Sequence, residues 1–99
     1  MTTDVIARKK VKLKLKDPKK YAVIIHNDDV TTMEFVMAVL IQVFGHNFED
    51  AKDIVLNVHE KGEGSAGIFS YEVAEALALE GKTLARANNF PLKFSVREE

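Results

Sequence analysis

Three consecutive polar residues, Asn27-Asp28-Asp29, follow the apolar run Tyr21-Ala22-Val23-Ile24-Ile25-His26 and precede an apolar helical pattern that begins near Thr31. Amides and carboxylates of this kind are hydrogen-bond acceptors, and a neutral His59 would add a ring-nitrogen acceptor. Acceptors around an apolar hole suit a ligand with a cationic head and an apolar body. The same residues also suit an ordinary turn in which Asp29 caps a helix, and spacing alone leaves both readings open. Met33 is equally two-sided, because a methionine at helical spacing fills core gaps as readily as it lips a pocket.

Covalent and metal chemistry find less support. His26, His46 and His59 fall on three elements and lack the paired spacing of a zinc helix, so no metal site is expected. Gly62-Glu63-Gly64-Ser65-Ala66-Gly67 matches G-x-G-x-x-G on paper. A phosphate loop, however, needs a strand before it and a helix directly after it, and Glu63 would repel the anion. Asp28 and Asp29 after a strand suggest a phosphoacceptor pocket, but a short chain cannot supply the five strand-helix units of that fold. Absence of cysteine from all 99 residues excludes thiolate nucleophiles, disulfides and iron-sulfur ligation. The expectation is a protein that recognises rather than catalyses, with no cofactor.

The elements that must position these residues follow from periodicity. Tyr21 to His26 reads as a buried strand. Thr31 and Glu34 have capping-box spacing, and Met33, Val36, Met37, Leu40, Val43 and Phe44 give a first helix that runs to Gly45. Asn47 with Asp50 opens a second helix, whose Phe48, Ala51, Ile54, Val55 and Val58 share a face before Gly62 stops it, with His59 in the last turn. Ala66, Ile68 and Phe69 suggest a short strand, and Ser70 caps a third helix carrying Val73, Ala74, Leu77, Ala78, Leu84 and Ala85. Gly81 inside that helix should cost about 1 kcal/mol relative to alanine. Asn88, Asn89 and Pro91 end it. Leu92, Phe94 and Val96 then alternate with polar residues as in a half-exposed strand. The fold class is α+β: a two-layer sandwich in which three helices cover one face of a three-stranded antiparallel sheet, in the order β-α-α-β-α-β, and leave the other face wet.

The net charge of −1 hides an uneven division. Residues 1–20 hold eight basic and two acidic side chains, +6, whereas residues 21–99 hold six basic and thirteen acidic, −7. A flexible, disordered basic N-terminal extension (1–20) joined to a core domain (21–99) is expected, with Asp17-Pro18 at the junction. The arm's lysines admit nucleic-acid binding, against which the acidic body argues. No run approaches the roughly 18 apolar residues of a membrane helix, so a soluble intracellular chain is expected.

Val23-Ile24-Ile25-His26-Asn27-Asp28-Asp29-Val30-Thr31-Thr32-Met33-Glu34-Phe35-Val36 resembles the signature of the ClpS adaptor family: an apolar strand, N-D-D, then T-x-M-E-F-V. Val58-His59-Glu60-Lys61-Gly62, Gly67 to Glu75, and Asn88-Asn89-Phe90-Pro91-Leu92 resemble three further family motifs, in the same order. The resemblance implies an adaptor of the ATP-dependent Clp protease that binds proteins with a destabilising N-terminal Phe, Tyr, Trp or Leu, the N-degron. It implies delivery of these proteins to the N-terminal domain of a ClpA-type unfoldase. Asn27, Asp28 and His59 would then hold the substrate's α-amino group, an ammonium that is costly to bury unpaired. Asp29, Thr31, Met33, Val36, Val55, Val58 and Leu92 would line the side-chain pocket, with Met33 as a gate against β-branched residues. Glu72 would contact the unfoldase, and the basic arm would take part in delivery.

Three positions depart from the family pattern. Val55 stands where methionine is common, which makes the pocket wall shorter and stiffer. Thr32 replaces a common proline, and Leu77 replaces a lysine of the unfoldase contact. The resemblance further implies a monomer in a bacterial cytoplasm, or less readily a plastid stroma, with no nucleic-acid or membrane partner. A ribosomal-stalk-like module that binds translation factors shares the element order and is the alternative reading. Its binding helix is lysine-rich, and it has no need of N-D-D or a late histidine.

Overall fold

A computed structural model describes residues 18–99, which form β1 (Tyr21–His26), α1 (Met33–Gln42), α2 (Phe48–Lys61), β2 (Glu63–Phe69), α3 (Tyr71–Ala87) and β3 (Lys93–Glu98). The sheet order is β2-β1-β3, and β1 pairs antiparallel with both neighbours. This is the expected β-α-α-β-α-β two-layer architecture. The most apolar strand takes the centre, where both its edges are hydrogen-bonded and Ala22 to Ile25 are all buried. Val23 and Ile25 pack with Val36, Leu40, Val55, Val58 and Leu92 in one core beneath the helices. Of the basic extension read at 1–20, residues 1–17 lie outside the described residues. Backbone pairing reaches Lys20, whose carbonyl accepts from the Glu99 amide at 2.8 Å.

The outer face of the sheet departs from the expectation of a wet surface. Ala22 and Ile24 on that face are only 4% and 6% exposed. Arg97, registered opposite Ala22, reaches Glu63, registered opposite His26, with Nη1 to Oε2 at 2.7 Å. His26 Nε2 lies 2.7 Å from Ser95 Oγ. These groups run diagonally across the two apolar side chains, so the face is polar without leaving its central strand open to water.

Boundaries differ in ways that bear on the site. Thr32, not Thr31, caps α1: its hydroxyl accepts from the Phe35 amide at 3.1 Å. The helix also stops at Gln42, ahead of the expected Gly45. Asn47 caps α2 through the Asp50 amide at 2.8 Å, and Gly62 closes it at φ 87°, both as the sequence implies. β2 begins at Glu63, directly after that cap, and is longer than expected because glycines fit inside it. A Cβ on Gly64 would lie 2.8 Å from Val58 Cγ2, so glycine is what lets β2 approach α2. Gly81 in α3 has the same explanation, since a Cβ there would meet Phe94 Cζ at 2.7 Å.

Candidate functional site

The end of β1 is a meeting point set by register. His26 pairs with Glu63 on one side and Lys93 on the other, so the next residue, Asn27, lies beside both Gly62 and Leu92. The Asn27 amide donates to the Gly62 carbonyl at 2.9 Å, tying the polar cluster to the end of α2. His59 occupies the last turn of α2, three residues before that cap, with its side chain exposed. His59, remote in sequence, therefore sits at the same end of the molecule as Asn27 and Asp28.

Asp28 is the most tightly held of them. Its Oδ1 accepts from the Val30 amide at 2.8 Å and the Thr31 amide at 2.7 Å, while Oδ2 accepts from the Thr31 hydroxyl at 2.7 Å. Partial burial raises the Asp28 pKa, but hydrogen bonds from the Thr31 amide, the Thr31 hydroxyl and the Val30 amide outweigh it, helped by the Arg86 charge. The net direction is downward, so the carboxylate is ionised at neutral pH. A carboxylate has about four acceptor positions and three are used, which leaves capacity on Oδ2 for a further donor. Asp28 makes a turn and retains acceptor capacity, so the two readings open at the sequence level are compatible. Asp29 is exposed and caps nothing; Thr32 has that role.

The apolar residues that the resemblance assigns to a side-chain pocket belong to the core. Val36, Val55, Val58 and Leu92 are 6%, 6%, 3% and 1% exposed and belong to one core cluster. They make a floor rather than freestanding walls. Met33, the first residue of α1, is 44% exposed. Val55 keeps the floor one branched side chain deep where a methionine would reach further. Glu72 stands apart: it is exposed in the first turn of the 17-residue α3, about 21 Å along the helix from Arg86, which holds the segment carrying Leu92. A groove of about 670 Å³ between α1 and α3, lined by Val43, Leu79 and Leu84 among others, contains none of these residues. No cluster of three His, Asp or Glu side chains able to hold a metal occurs among the described residues.

One residue at the site escaped the sequence reading. After α3 the chain reverses through Asn89 at φ 64°, with Phe90 N donating to Ala85 O at 2.9 Å and Asn89 N to Arg86 O at 3.1 Å, a Schellman closure. Arg86 Nη1 then donates to the carbonyls of Phe90 at 3.0 Å and Leu92 at 2.8 Å. The available signal was a basic residue in the last helical turn, ahead of Asn-Asn-Phe-Pro. A C-terminal cation reads by default as a partner of the helix dipole.

Comparison with known proteins gives the family of this chain. A family model described as "ATP-dependent Clp protease adaptor protein ClpS" matches residues 16–95. The ClpS adapter protein of Oleidesulfovibrio alaskensis is 48% identical over 84 residues, covering 85% of this chain and 81% of the relative. That of Myxococcus xanthus is 44% identical over 97 residues, covering 98% and 91%. Among solved structures, Agrobacterium tumefaciens ClpS2 bound to L-phenylalaninamide superposes with a TM-score of 0.79 at 33% identity, covering 83% of this chain and 99% of that one. No helix among the described residues is long and apolar enough to cross a membrane.

Proposed function

This chain belongs to the ClpS family of ATP-dependent Clp protease adaptor proteins, and from that premise we propose that it binds proteins through a bulky apolar N-terminal residue and delivers them to a Clp unfoldase. The observation that carries the reading is Asp28: an ionised carboxylate with spare acceptor capacity, fixed by three hydrogen bonds at the rim of an apolar floor. An α-ammonium group brings three N–H donors. Asn27, Asp28 and His59 supply three acceptors, so the group can leave water without an unpaired proton. Its side chain then covers the Val36, Val55, Val58 and Leu92 floor past Met33, with Asp29 and Thr31 at the edge. Covering a large apolar side chain contributes about 1.5 to 3 kcal/mol.

L-Phenylalaninamide, the ligand of the Agrobacterium relative, has a free amine, a phenyl side chain and a blocked carboxylate, which are the features of a protein's first residue. That chemistry supports the same ligand class here. In our reading the adaptor is a monomer in the bacterial cytoplasm, and it performs no chemistry on its cargo. Glu72 on the far end of α3 meets the N-terminal domain of a ClpA-type unfoldase, so cargo and machine occupy opposite ends of one helix. The basic residues 1–20 act in delivery, and 21–99 are the recognition domain. The test is fluorescence polarisation with peptides that differ only in residue 1. Phe, Tyr, Trp and Leu should bind while Val, Ile and Ala do not. Equal binding of all would overturn the reading.

A further inference from the structure

We propose that Arg86 is a positioning residue of the amino-terminal recognition site, fixing the segment from Phe90 to Leu92 so that the apolar floor keeps the shape that discriminates among residue-1 side chains. The inference rests on the functional reading above. Leu92 is 1% exposed and precedes β3, so its place is set from two directions: by strand pairing that begins at Lys93, and by whatever holds the segment before it. Pro91 has no amide proton and cannot anchor that segment by donating. What anchors it instead is the Arg86 guanidinium, which donates from Nη1 to both the Phe90 and the Leu92 carbonyls.

The consequence extends to α1. Phe90 packs on Phe35 with ring centroids 4.8 Å apart, and Phe35 N is the group that Thr32 caps. Arg86, Phe90, Phe35 and the capped start of α1 thus form a connected series that ends at Thr32, one residue from Met33 and four from Asp28. The guanidinium charge also acts on Asp28, favouring its ionised form. A single side chain on α3 therefore bears on both halves of the site, the floor by hydrogen bonds and the amine acceptor by charge. The planar, delocalised fork suits the first task, whereas any cation would serve the second.

That difference sets the experiment. Arg86→Lys and Arg86→Gln are compared with the wild type for affinity to peptides beginning with Phe and with Leu, each with its N-acetylated control. The ratio of the two dissociation constants is read as well as the constants, because a fraction of unfolded protein scales both equally and leaves their ratio unchanged. Both variants should lower the affinity for the Phe peptide by about three- to tenfold and move the Phe-to-Leu ratio by at least about threefold. Lysine should fail to restore the ratio. An unchanged ratio in both variants, or full rescue by lysine, overturns the positioning role. If the wild type instead binds free and acetylated peptides alike, the functional reading itself falls, and the inference with it.

Discussion

Replacing Asp28 separates its two duties. Asp28→Ala removes three hydrogen bonds that close the turn before α1, at about 0.5 to 1.5 kcal/mol each. A stability loss of about 1.5 to 4.5 kcal/mol is expected, so weak binding by that variant would be ambiguous. Asp28→Asn is more decisive. Its amide oxygen still accepts from the Val30 and Thr31 amides, and the Thr31 hydroxyl can reverse to accept from the new NH2 group. The turn survives, with a stability change of about 1 kcal/mol or less, or a few degrees in Tm for a domain of this size. The ammonium, however, loses a charged acceptor and faces a donor. A hydrogen bond to a charged group is worth about 1.5 to 3 kcal/mol, so the dissociation constant should rise by at least tenfold. Polarisation of a peptide with an N-terminal Phe and a C-terminal fluorophore reads the binding, and thermal melts read the fold. Affinity within twofold of wild type, with the fold intact, would refute the assignment of Asp28 to the amine.

Three further outcomes follow from the same structure. The Asp28 pKa lies below its ordinary 3.8 in the folded chain, so its stabilisation is complete above about pH 5 and is lost as pH falls through the depressed value. The stability difference between wild type and Asp28→Asn in urea titrations should shrink between pH 5 and pH 2; a constant difference would contradict the turn. Val55→Met lengthens a buried floor residue, so it should weaken Trp and Phe peptides relative to Leu by about threefold or more, and unchanged relative affinities would remove Val55 from the pocket. Gly81→Ala should destabilise by about 1 kcal/mol despite the gain in helix propensity, because the new Cβ meets a Phe94 ring already stacked on Phe44. Denaturant titration checks this, and a more stable variant would show that the ring moves aside freely.

Periodicity and caps made the element order legible. Ser70, Asn47 and Gly62 end their helices where local chemistry places them, because a cap is decided by the few residues around it. Thr31 and Thr32 show where this stops. Either can cap α1, and the choice falls to Thr32 because Asp28 takes up both polar groups of Thr31, a contact that no propensity describes. Helix propensity makes Gly81 a cost on α3, because its partner, Phe94, lies on another element. The outer face looked wet for the same reason, since Arg97 and Glu63 meet only through the sheet register. The resemblance alone names rim and floor residues; periodicity puts Val36, Val55 and Val58 on apolar helix faces, and their depth of burial is set by tertiary packing. Arg86 acts on main-chain carbonyls, which leave no trace in the identity of the residues that bear them.

Acetylation of a single amine tests the central claim most directly. A peptide beginning with Phe and its N-acetylated twin differ by one charge and by the donors offered to Asn27, Asp28 and His59, while the side chain over the floor is the same. Titrated against the full chain, the free-amine peptide should bind and the acetylated peptide should lose at least a hundredfold in affinity, about 2.7 kcal/mol. Equal affinity for the two would contradict the account.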